Sequence, residues 1–247
     1  MSTAYRLWLT FRSCLFWIWQ IFITLIMGGP VILLGLVSFR AGYAMAISWN
    51  HLNLLGLKLI CGVSWQVDGR ENIPDTPCLV LSKQQSTWET YFLPTVFYPA
   101  VYVAKRSLLL IPVFGWALYV LKFIMIDRAS GRSAIHQMCE QAADRLRRGR
   151  WVVVFPEGTR RPVGAEPNYR IGGAMVAHNI PCDVVPVALN AGEFWPRMGF
   201  IKYPGVIQVS IGPVIRSEGK SAAAILQETQ DWIEQRMARI GAETAAT

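Results

Sequence analysis

Short apolar runs, each bounded by turn-forming residues, recur from residue 64 to residue 211. The runs at 64–67, 78–81, 101–103, 123–126, 151–155, 184–189 and 206–211 predict β-strands. Between them the period changes to that of a helix. Over 133–148, Ile135, Met138, Ala142 and Leu146 fall on one face, Arg145, Arg147 and Arg148 suit a helix C-terminus, and Gly149 can end it. A second helix is predicted at 221–240 with Ile225, Trp232, Ile233 and Met237 turned inward, and the small, polar tail from Gly241 is expected to fray. Strands alternating with helices predict an α/β domain.

The first 63 residues follow another pattern. No charge occurs from Ser13 to Phe39, and Arg6, Arg12 and Arg40 bracket the run. As one helix it would measure about 40 Å, against a bilayer hydrocarbon core of about 30 Å. Gly28-Gly29-Pro30 interrupts it midway. A tilted, kinked span and a re-entrant hairpin both fit, and the hairpin is favoured because basic residues flank both ends. A cleaved signal peptide fits less well, since the stretch is too long and no convincing small-residue cleavage pattern follows. Residues 41–63 form a more mixed helical stretch, expected at the membrane surface or against the domain. The chain thus divides into membrane-associated helices (1–63) and an α/β domain (64–247).

Composition agrees with a membrane setting, with 53% hydrophobic and only 16% charged residues. The net charge of +8 favours anionic partners such as phospholipid headgroups or phosphorylated substrates. No nucleic-acid-binding motif accompanies it, so nucleic acid is not expected as a partner. Five scattered cysteines without a C-x-x-C pair suggest reduced thiols in a cytosolic setting and no structural zinc.

Candidate chemistry lies just after the predicted strands. Lys83-Gln84-Gln85-Ser86-Thr87-Trp88-Glu89 leads into a helix from Thr90, and the S-x-x-E spacing marks Ser86 as its N-cap. Gln84 and Gln85 then precede a helix N-terminus, where free N–H groups and the dipole favour developing negative charge. Lys105 and Arg128 follow two further runs, where open α/β sheets bind ligands, and suit a phosphate; Asp127 suits an ion pair or a turn cap. In Pro156-Glu157-Gly158-Thr159-Arg160-Arg161, Pro156 stops a strand and Gly158 permits a tight turn. Arg160 there offers a planar donor pair and Thr159 a hydroxyl. His178 and Asp183 also have a His-x4-Asp spacing, but Pro181 interrupts them, and a helix-to-strand connection is the expected role. His51 and His136 lack a suitably spaced acidic partner.

Read together, these stretches resemble the glycerophospholipid acyltransferases, the 1-acyl-sn-glycerol-3-phosphate acyltransferase group in particular. The string 156–161 matches the family's third motif. Residues 111–128 are similar to the second, 185–188 to the fourth, and the likeness runs from about 64 to 215. It implies a mixed sheet flanked by helices and acyl transfer from acyl-CoA or acyl-carrier protein to lysophosphatidic acid, giving phosphatidic acid. No cofactor or metal is implied, and the catalytic domain would face the cytoplasm. Lys105, Arg128, Glu157, Gly158, Thr159 and Arg160 would bind the phosphate and glycerol of the acceptor.

The first motif departs from the family. Its acidic position is Glu89, but Gln84 stands where the family carries its catalytic His. A Gln amide can hydrogen-bond a hydroxyl but cannot take its proton. Three readings follow: an acyltransferase with reduced or rescued activity, a non-catalytic lysophospholipid-binding protein, or an enzyme carrying a substituted residue. Glu89 either orients Gln84 or serves only as a helix cap.

Overall fold

The computed structural model describes residues 2–127 and 131–245. Seven strands appear where the apolar runs place them: β1 (Val63–Asp68), β2 (Leu79–Ser82), β3 (Ala100–Lys105), β4 (Ile124–Ile126), β5 (Trp151–Val154), β6 (Val184–Leu189) and β7 (Gly205–Ile211). They form one mixed sheet in the order β1-β7-β6-β2-β5-β3-β4, parallel except between β6 and β7. Among the described residues the α-helices are α1 (Thr3–Val37), α2 (Phe39–Gly56), α3 (Trp88–Val96), α4 (Phe114–Val120), α5 (Arg132–Arg147), α6 (Gly172–Asn179), α7 (Ala191–Phe194) and α8 (Ala222–Ala245).

Strands β2, β5 and β6 are buried along their whole length, which is why they read as unbroken apolar runs. Successive side chains still serve opposite faces. Val80, Val153 and Val185 pack with Trp88, Phe92 and Leu57, whereas Leu79, Leu81, Val152 and Val154 pack with Met138, Ala142 and Ala174. Full burial of each such side chain stabilises the fold by roughly 1.5–3 kcal/mol. The α5 pattern holds, and Gly149 ends that helix at a φ of 68°.

Three expectations are corrected. Gly28-Gly29-Pro30 does not break α1, which continues to Val37; the chain reverses at Ser38, whose side chain caps α2. A proline removes one backbone donor, and the turns on either side carry the helix past it. The run 13–39 is therefore not a hairpin in itself; the reversal at Ser38 instead pairs α1 with α2, where Gly35 and Gly42 bring the two helices close: a Cβ on Gly42 would lie 2.5 Å from the Gly35 Cα. The tail from Gly241 remains helical to Ala245.

Helix α1 lies along the domain. Leu9, Phe16, Ile23 and Val31 form a buried stripe at intervals of about two turns. Ser13 Oγ accepts from the Lys202 N–H at 2.9 Å, and Gln20 Nε2 donates to the Tyr91 hydroxyl at 2.5 Å. Phe16 meets Trp195 edge-on at 5.5 Å. Near that contact Lys202 is buried, with Nζ 4.0 Å from the Trp17 ring and 4.7 Å from that of Trp195, and burial pulls its ammonium down to about 8.

Candidate active site

The C-terminal ends of β2, β5 and β3, neighbours in the sheet, deliver the chemistry to one edge. The turn after β2 carries Gln84, the turn after β5 carries Gly158 and Arg160, and Lys105 ends β3. All four line a single cavity of about 1200 Å³, to which Thr87 and Arg170 also contribute. Much of the remaining wall is apolar, with Met27 and Ile32 of α1, Leu118 of α4, Phe123, and Ile135 and Met138 of α5. The cavity thus combines cations and an amide from the strand ends with an extensive hydrocarbon wall.

Two buried carboxylates hold the turns from behind. Glu89 is fully buried, and its Oε1 accepts from the Gln85 and Ser86 N–H groups at 2.8 Å each. Ser86 Oγ in turn accepts from Trp88 N at 3.2 Å. Of the reciprocal pair foreseen from S-x-x-E, the Glu89 half is present, whereas the Ser86 hydroxyl serves Trp88 and not Glu89; α3 starts at Trp88 with Thr87 as its boundary residue, so Ser86 is not its N-cap and the helix does not begin at Thr90. Glu157 Oε2 accepts from the Gln84 N–H at 2.9 Å, and the Gln84 carbonyl accepts from the Arg161 N–H at 2.9 Å. The two turns are clasped to each other in this way.

These bonds change the expected electrostatics. The N–H groups of residues 84, 85, 86 and 88 are already bonded to protein oxygens, so they are not free for a developing anion. Glu89 makes no hydrogen bond to Gln84; its other oxygen, Oε2, is buried without a partner. Burial pushes the Glu89 carboxyl up to about 7, opposed by its backbone hydrogen bonds and by Arg160. Glu157 is likewise raised by burial, with Lys83 opposing.

Glu157 does not line the cavity; its side chain is turned inward. Lys83 Nζ lies 3.1 Å from Glu157 Oε1 and 2.6 Å from Glu234 Oε1 of α8, and Tyr169 Oη donates to the same Glu234 oxygen at 2.7 Å. Glu157 therefore positions the turn, a correction to its expected contact with the acceptor. Thr159 is exposed on the loop and is not part of the cavity wall. Arg160 extends into the cavity with its buried Nε bonded to no protein oxygen. Arg128 falls outside the described residues. Lys83 and Glu234 were not foreseen as site residues. A lysine two residues beyond the apolar run 78–81 was the available hint for the first, whereas nothing in the local pattern marks Glu234.

The histidines play no part here. His178 Nδ1 lies 3.0 Å from the Lys220 carbonyl, and Asp183 pairs with Arg216 at 2.6 Å, so the second His-x4-Asp spacing does not bring its ends together. His51 and His136 are exposed. Among the described residues no histidine, aspartate or glutamate lines the cavity.

A model of the acyltransferase family matches residues 64–190, the part of the chain that carries all of these turns. The 1-acyl-sn-glycerol-3-phosphate acyltransferase of Pseudomonas aeruginosa is 44% identical over 209 residues, spanning 83% of this chain and 81% of that one. The 1-acyl-sn-glycerol-3-phosphate acyltransferase alpha of Homo sapiens is 30% identical over 172 residues, spanning 68% of this chain and 61% of that one. The crystal structure of the 1-acyl-sn-glycerophosphate (LPA) acyltransferase from Thermotoga maritima superposes with a TM-score of 0.79 over 95% of this chain and 98% of that one; at 21% identity this is a likeness of fold. With the strands, the two clasped turns and the sequence all in agreement, this chain belongs to the acyltransferase family.

Proposed function

We propose that this chain binds lysophosphatidic acid and an acyl thioester, acyl-CoA or acyl-carrier protein, and transfers the acyl group to the free hydroxyl to give phosphatidic acid. The observation that carries the reading is a cavity whose wall holds both cations and a large apolar surface. Lys105, Arg160 and Arg170 suit a phosphate, and the apolar wall suits a hydrocarbon tail. The names of the relatives support the same acceptor.

The hydroxyl oxygen must lose its proton as it attacks the thioester carbonyl, and the thiol departs. Gln84 stands beside the path with an amide that can hold the hydroxyl but not deprotonate it. The chain therefore orients both substrates and transfers slowly, by a rate factor of about 10²–10⁴ relative to a site with a positioned base. No metal or cofactor is assigned a role.

Because α1 is packed along the domain by one stripe, we place it in the plane of one leaflet with its opposite apolar face in the lipid. Its length and hydropathy alone would also satisfy a span. Five unpaired cysteines support a reducing, cytoplasmic setting for the domain.

Binding of lysophosphatidic acid to the purified chain tests the acceptor. A charge-assisted hydrogen bond contributes about 1.5–3 kcal/mol, so Arg160→Ala should weaken binding by about 10-fold to 100-fold, while a monoacylglycerol without phosphate should bind both proteins equally. Unchanged affinity in the variant would remove the phosphate from this part of the cavity.

A further inference from the structure

The segment joining β3 to β4 does not behave as an ordinary surface connection. Within residues 108–119 six large apolar side chains face outward: Leu110, Ile111, Val113, Phe114, Trp116 and Tyr119. Leu110 is 83% exposed, Tyr119 64% and Trp116 56%. A connection in water normally carries polar side chains, and a contiguous apolar patch marks an interaction surface.

The position of this segment says what would cover it. Small residues seat it against α1: a Cβ on Gly28 would meet the Val113 side chain at 3.0 Å, and one on Gly35 would meet Val120 at 2.8 Å. Its apolar side chains thereby continue the exposed face of α1, where Leu25, Leu33, Leu36 and Val37 point outward. Ile32, Leu36, Leu109, Trp116 and Tyr119 frame a shallow apolar groove along the junction.

Charge points to the same occupant. Neither residues 1–67 nor residues 90–126 contain a single Asp or Glu. Lys105, Arg106 and Lys122 border the apolar segment, with Lys122 Nζ 5.3 Å from the Tyr119 ring. Apolar side chains at the tip with cations at the base and no carboxylate match an anionic leaflet, in which tails meet the first and headgroups the second.

The cavity opens through this face. Leu25 and Leu33 of α1 and Val113, Phe114 and Trp116 of the connection are exposed and also line the cavity wall. We propose that residues 108–119 are a second membrane-inserting element which, with α1, places the mouth of the cavity inside the acyl-chain layer of an anionic leaflet. An acceptor tail then reaches the cavity sideways, without crossing water. The inference rests on the membrane placement of α1 given above and does not depend on turnover.

The test uses the full chain in vesicles of phosphatidylcholine and phosphatidylglycerol that include a phospholipid with a photoreactive diazirine midway along its acyl chain. Labelled residues are mapped by mass spectrometry. Labels on α1 and within 108–119, and none on the exposed faces of α5 and α8, are the expected result. Labels on α1 alone overturn the proposal. Labels on neither overturn the membrane placement itself, and binding of a freely dissolved short-chain lysophosphatidate then shows whether the acceptor site survives that failure. As a second measurement, Leu110→Asp with Ile111→Asp, both outside the cavity wall, should lower the vesicle partition coefficient at least 10-fold and leave that soluble acceptor bound as before. An unchanged partition coefficient also overturns it.

Discussion

Glu89→Gln separates the carboxyl's structural role from its charge. Glu89 is fully buried, accepts two backbone N–H groups through Oε1 and has no partner at Oε2. A Gln keeps an oxygen for the two N–H groups and removes the titration. The native carboxyl is raised from 4.5 to about 7, chiefly by burial. The folded chain therefore holds this proton more tightly than the unfolded chain does, so the contribution to stability is full below pH 4.5 and is lost as pH rises through about 7. At about 1.4 kcal/mol per pH unit, that interval sets a loss on the order of 3 kcal/mol. Chemical denaturation of both proteins in detergent micelles, followed from below pH 4.5 to above 7, should show the unmodified chain losing about this much relative to Glu89→Gln. Parallel profiles would refute the reasoning. They would mean that Glu89 stays ionised, with Arg160 and the helix N-terminus outweighing burial.

Two other perturbations probe the frame around the site. Lys83→Met leaves the buried Glu157 carboxylate without its cation 3.1 Å away, and removing one partner of such a pair destabilises by about 3–5 kcal/mol. Adding Glu157→Gln should recover part of that loss in the same denaturation assay, and a purely additive double variant would deny the coupling. Gly42→Val would force a side chain into the α1–α2 contact, where a Cβ already falls 2.5 Å from Gly35 Cα. Overpacking of about 1–3 kcal/mol should lower the melting temperature, whereas Gly29→Ala, with nothing within 4 Å of its Cβ, should leave it level or raise it.

What could be read from the sequence follows from which interactions are local. The central strands β2, β5 and β6 were legible because a strand buried on both faces leaves an unbroken apolar run, as at 151–154 and 184–189. The bond from the Ser86 N–H to the Glu89 carboxylate was legible because it spans three residues. The bend at Ser38 was not. It depends on two glycines meeting across a helix pair, and the conspicuous Gly-Gly-Pro proved compatible with a continuous helix. At the site, the phosphate-side cations were visible as basic residues after strands. The inward turn of Glu157 was hidden, because its partners, the Lys83 ammonium and the Gln84 N–H, lie 74 and 73 residues away in the chain, beyond any periodic signal. Residue type alone likewise left open whether Glu89 meets Gln84, and the backbone N–H groups that claim its oxygen decide the matter.

On the function proposed above, the cavity is an acyltransferase site that lacks only a base at residue 84. The decisive assay is thiol release from acyl-CoA in the presence of lysophosphatidic acid, compared between this chain and Gln84→His. Gln84 is part of the cavity wall, and Glu89 Oε2, five residues on, has no partner, so the substitution places an imidazole at the wall with an uncommitted carboxyl oxygen to orient it. The rate should rise by about 10²–10⁴. Equal rates in the two proteins would put the reacting centre elsewhere, and no turnover in either would contradict the assignment of acyl transfer between these substrates.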